Sequence, residues 1–227
     1  MFGFWFFEYN LNMWNVTARL LALVIAVLVF LPLHEIVHIK VAKAFMGLKC
    51  RIRDFAFFDF FDPIGAVFML LFQYGWAKRW NLFFQAPLKS RHEIIITNLS
   101  GPLFNFFSAV AVAILSRVLT MISILSNFDL SWFIFVLYYL AGINVTLATI
   151  NLLPVPPFDG FRTIEAFVPN KYLSKYYDNY FLISLILAIL LLCGMFDTLI
   201  SKLEGVMYAS VYTLSSIPFM IFRGLGS

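Results

Sequence analysis

From Leu20 to Phe30 the chain reads LLALVIAVLVF, with no charge and no side-chain hydrogen-bonding group. Extended from about Val16 to Phe45, the run exceeds the roughly 20 apolar residues that a helix needs to cross a bilayer. In hydrocarbon, backbone polar groups must be satisfied within the segment, so the run is expected to be a helix. Similar runs follow at about 93–125 and 132–153, with weaker ones at about 180–197 and 205–222. The whole chain is 62% hydrophobic and 12% charged, where soluble domains are about half apolar. The expectation is an all-α polytopic membrane protein whose first partner is the lipid bilayer. It would form a single membrane-embedded domain over 1–227, with about five to six transmembrane or re-entrant segments and a small membrane-associated β element. The core would span about 16–168, with C-terminal helices at about 180–222.

The formal charge of +4 is spread over short clusters beside apolar runs, so no nucleic-acid partner is expected and the basic residues read as topology determinants. Lys40, Lys43, Lys49, Arg51 and Arg53 place the far end of the first span in the cytoplasm. The N-terminus, MFGFWFFEYN, has no basic n-region or small-residue cleavage site, so the first run is expected to stay as a helix. Cys50 and Cys193 show no metal-type pairing and read as free thiols.

Residues 47–62, GLKCRIRDFAFFDFFD, lack a helical period and fit a short strand or an interfacial loop. PIGAVFMLLFQYGWA is short for a span and has basic flanks on both sides. A re-entrant or partly inserted segment at 62–76 suits that pattern better than a crossing helix.

Into the end of the first run is set LPLHEIVHIK, residues 31–40. Ionisable side chains at membrane depth are expensive and mark functional sites. His34, Glu35 and His38 form an HExxH pattern, which on a helix stacks the two histidines one turn apart on one face. Two imidazoles so placed can grip one zinc, with Glu35 beside them to take a proton from water. With three histidines and five glutamates in the chain, chance would give the pattern about once in a thousand such sequences.

A catalytic zinc normally has three protein ligands. His92 follows SR at a helix boundary and reads as a solvated interfacial histidine. Glu204 falls in a segment assigned to the other side. Asp159, in NLLPVPPFDG at a helix end broken by Pro154, Pro156 and Pro157, lies on the same side as HEIVH. A broken helix is tolerated at that depth where it lines a cavity. Taken alone, Asp159 would read as a turn or capping aspartate.

HEIVH, DPIG and GWAK around the short segment, SGPLFN opening the next helix, and NLLPVPPFDG together resemble the site-2 protease family of intramembrane zinc metalloproteases, in the family's order from about residue 20 to 168. The likeness is greatest to minimal members without PDZ or CBS domains. It implies one zinc per chain on His34, His38 and Asp159, Glu35 as general base, and Asn151 as the residue holding the substrate backbone or developing oxyanion. It implies regulated intramembrane proteolysis of single-span membrane protein substrates in the cell membrane, with the active site opening toward the cytoplasm. It also places the β element at 47–62, where an extended substrate strand could pair. Phe161 departs from the second glycine common after Asp-Gly, and Lys78-Arg79-Trp80 departs from the usual proline-valine stretch. Neither position is itself one of the expected ligands.

Asn98 and Asn105, like Asn144 and Asn151, recur at seven residues and so share a helical face, which is the pattern of polar contacts between packed helices. Two other functions remain to be weighed: an inactive scaffold that binds single-span proteins, and a metal transporter. A scaffold has no need of a base beside the ligands, and transport calls for polar residues along several spans rather than one cluster.

Overall fold

The structure, a computed structural model, describes residues 13–48, 59–72, 75, 77 and 90–225, apart from 157, 170, 174–177, 180, 181, 184, 185, 187, 188, 191 and 192. The regular structure among the described residues is helical. Among the described residues, three helices are long and apolar enough to cross a membrane: Met13–Phe45, Arg91–Ser126 and Ser131–Asn151. The expected β element at 47–62 falls mostly outside the described residues, and the count of five to six membrane segments is not reproduced by these three.

The first of these helices is not uniform. Helix α1, Met13–Ile25, passes through a π-helical turn, Ala26–Phe30, into α2, Leu31–Phe45. The Leu31 N–H bonds to Ala26 O, one residue further back than an α-helix allows. Pro32 at the start of α2 accounts for this: it has no N–H to give Leu28, and its ring would crowd that carbonyl in a regular helix. The widened turn changes the helical phase just before His34, a common position for such bulges.

Helix α3, Pro63–Phe72, covers about 15 Å at 1.5 Å per residue, half of a bilayer's hydrocarbon core. Asp62 caps it by accepting from Gly65 N–H at 3.0 Å. Helix α4, Arg91–Ser126, starts in a capping box in which Ser90 and Glu93 satisfy each other's backbone N–H groups. It stops at Asn127, whose left-handed φ of 53° a short amide side chain tolerates. Helix α5, Ser131–Asn151, returns antiparallel and ends before the prolines. Helix α6, Asp159–Glu165, follows the break, and α7 is Asp197–Leu225. The weak span expected at 205–222 thus begins earlier. It packs along α4 and α5 through Ala109, Val145 and Val211, and against the break through Leu153 and Ile200.

The main core lies between α1, α2 and α5. Ala18, Ala22 and Ala26 let the backbones approach, and Leu23, Ile39, Phe60, Met69, Ile143 and Leu147 fill the space between them. Small residues at such contacts are how helices pack where lipid is as apolar as the partner.

Candidate metal centre

Helix α2 presents His34 and His38 toward the first third of α4, and the chain break after α5 brings Asp159 to the same point. His34 Nε2 lies 3.0 Å and His38 Nε2 3.1 Å from one carboxylate oxygen, Asp159 Oδ2, and the two Nε2 atoms are 3.1 Å apart. His34 and Asp159 are buried, and His38 is partly so. Residues 125 and 121 positions apart in sequence therefore offer one ligand atom each to a common centre. Burial pushes the Asp159 carboxyl up, but the charge facing it on His38 and the hydrogen bonds of both histidines outweigh this and hold it well below the usual carboxylate range. A carboxylate oxygen and two imidazole nitrogens turned on one point call for a positive charge among them.

The outer nitrogens show what that can be. His38 Nδ1 sits 2.6 Å from the Thr97 carbonyl, which can only accept, so Nδ1 carries a proton. In the neutral ring Nε2 then turns a lone pair to the centre. Ser100 Oγ, 3.3 Å from the same Nδ1 and itself donating to Thr97 O at 2.6 Å, closes this side. Two nitrogens and one carboxylate oxygen are a donor set that zinc accepts. Tetrahedral bonds of about 2.0–2.1 Å would set ligand atoms about 3.3 Å apart, close to the 3.0–3.1 Å triangle here. The residues fit a zinc ion.

Two glycines make the approach possible. A Cβ on Gly101 would collide with His38 Nε2 and lie 2.6 Å from His34 Nε2, so the imidazoles can hold these positions over α4 only without a side chain there. A Cβ on Gly160 would strike the carbonyls of Leu152 and Leu153, so the turn that carries Asp159 folds back on the end of α5 at that residue.

Glu35 is partly buried at the next position of α2 and is not one of the converging ligand atoms. Asn151 lies at the end of α5 with its Nδ2 donating to Leu147 O at 2.9 Å, within its own helix. His92 is exposed in the first turn of α4. Glu204 is taken up elsewhere, accepting from Thr146 Oγ1 at 2.7 Å. Sequence reading placed Asn105 among packing residues, yet its amide lies 3.1 Å from His34 Nδ1. Thr97 acts through a backbone carbonyl, which no side-chain pattern announces.

The fold and cluster define a helical protein with helices apolar enough to cross a membrane and a histidine–carboxylate group that could hold a metal ion. Its sequence matches the model of Peptidase family M50 over residues 115–193, which take in Asn151 and Asp159 but not HEIVH. The chain is 28% identical over 162 residues to a Bacillus subtilis protein named "Putative zinc metalloprotease YwhC", covering 67% of this chain and 72% of that one. No solved structure matches. The two matches bear out the resemblance to the site-2 protease family and support a metalloprotease.

Proposed function

We propose that the protein is an intramembrane zinc endopeptidase that cuts the transmembrane segments of single-span membrane proteins, as regulated intramembrane proteolysis requires, in the cell membrane with its site open to the cytoplasm. The observation that carries this reading is the meeting of His34 Nε2, His38 Nε2 and Asp159 Oδ2 within 3.0–3.1 Å of one another, beside the glutamate of the same helix.

His34, His38 and Asp159 would hold one zinc, which when bound lowers the pKa of water and polarises a carbonyl. Glu35 takes a proton from the attacking water and returns it to the leaving amine. Asn151, turned from its bond to Leu147, donates its amide N–H to the scissile carbonyl oxygen as charge develops there. A substrate helix hides its carbonyls in hydrogen bonds and must unwind locally; the 47–62 segment would offer strand pairing to the freed groups.

Zinc content and cleavage of a panel of single-span substrates, in detergent, test the reading on wild type and Glu35→Gln. One zinc in both and cleavage by wild type alone is the expected outcome. Equal cleavage by both would remove Glu35 from the mechanism.

A further inference from the structure

The two histidines of the centre are not held alike on their outer sides. His38 Nδ1 faces a carbonyl, which fixes its proton on Nδ1 and its lone pair on Nε2. His34 Nδ1 faces the amide of Asn105, fully buried on α4, through Nδ2 at 3.1 Å. An amide N–H can only donate, so this arrangement puts the His34 proton on Nε2, where it points at Asp159 and His38 and leaves no lone pair for a metal. Meanwhile Asn105 Oδ1 is buried with no hydrogen-bond partner. A donor stands where the ring needs an acceptor, and an acceptor stands idle a half-turn of the same amide away.

We infer that Asn105 is the positioning residue for His34: with its amide reversed, Oδ1 accepts from His34 Nδ1–H, fixes the same tautomer that the Thr97 carbonyl fixes in His38, and turns the Nε2 lone pair to zinc. One stretch of α4, residues 97–105, then sets both ligand tautomers, while Gly101 in its middle leaves room for the rings. Metal-bound histidines generally donate their other N–H to an oxygen, and loss of such a partner weakens metal binding by about 10–100-fold. The inference rests on the zinc reading above and concerns only how one ligand is held.

The test measures zinc affinity by chelator competition on the purified chain in detergent, with cobalt absorption as a second readout of ligand geometry. Asn105→Ala should weaken zinc by about 10–100-fold. Asn105→Asp keeps an acceptor at the same place and discards the donor, so it should hold zinc within a few-fold of wild type and keep the cobalt spectrum. An Asp variant as weak as the Ala variant would show that the amide acts as a donor and overturn the inference, as would wild-type affinity in Asn105→Ala. If the alanine variant does not fold, the aspartate variant decides alone: retention supports the acceptor role, and loss removes it. Wild type without zinc would instead defeat the parent reading and this inference with it.

Discussion

Two polar clusters are set into this bundle, one near each end, and they are built on opposite plans. At the end away from the histidines, polar side chains meet single neighbours on other helices. Arg117 donates to Ser215 Oγ at 3.1 Å and stacks on Tyr212, and Trp132 Nε1 donates to Thr17 Oγ1 at 3.1 Å. Arg19 lies 4.7 Å over the Tyr139 ring, beside a cavity of about 200 Å³ between α1, α5 and α7. Here polar groups pair off across helices, as expected of structural contacts in a membrane protein. At the other end three ligand atoms converge on one another instead, and the hydrogen-bonding groups of α4 stand behind the rings rather than between them. Pairing consumes lone pairs; convergence presents them. The second arrangement is what a cation requires, and it marks the functional end.

Substitutions can break this comparison. The largest effect should come from Gly101→Ala. The added methyl meets the tips of two side chains rather than backbone, so the imidazoles can swing aside and the helices stay packed while the centre is lost. Zinc affinity should fall at least as far as on loss of a supporting partner, about 10–100-fold, with the thermal midpoint in detergent changed little. A variant that keeps zinc would mean that α4 is not the floor of the site. At the opposite end, Arg117→Leu removes two hydrogen bonds, to Ser215 Oγ and to the Tyr212 carbonyl, and one cation–π contact worth about 0.5–1 kcal/mol at an exposed site. The melting temperature should drop slightly with zinc content and cleavage unchanged; a loss of zinc would show that the two ends are coupled.

The sequence carried the features with local causes. Helices α4 and α5 are legible to within about two residues because their apolar runs, about 93–125 and 132–153, are long and stop where charged residues or Pro154 interrupt them. HEIVH was readable because a four-residue spacing is a fact of one helix. The π turn was missed although Pro32 signalled a disturbance, since a proline near a helix does not say whether the chain kinks, breaks or widens. Helix α7 was started too late because Lys202 and Glu204 dilute its apolar character, while its packing on α4 and α5 sets its true extent. Asp159 could be proposed only with the histidines already in view. Gly101 and Asn105 could not be given their places at all: what they touch is decided by how closely α2 approaches α4, more than 60 positions along the chain.

The most direct test of the account is the zinc stoichiometry of the purified chain, wild type against Asp159→Ala, after equilibration with limiting metal. The account predicts one zinc in the wild type and its loss from the variant, because the two histidines alone leave the set one ligand short of the usual three. No zinc in the wild type, or full retention by Asp159→Ala, would contradict it.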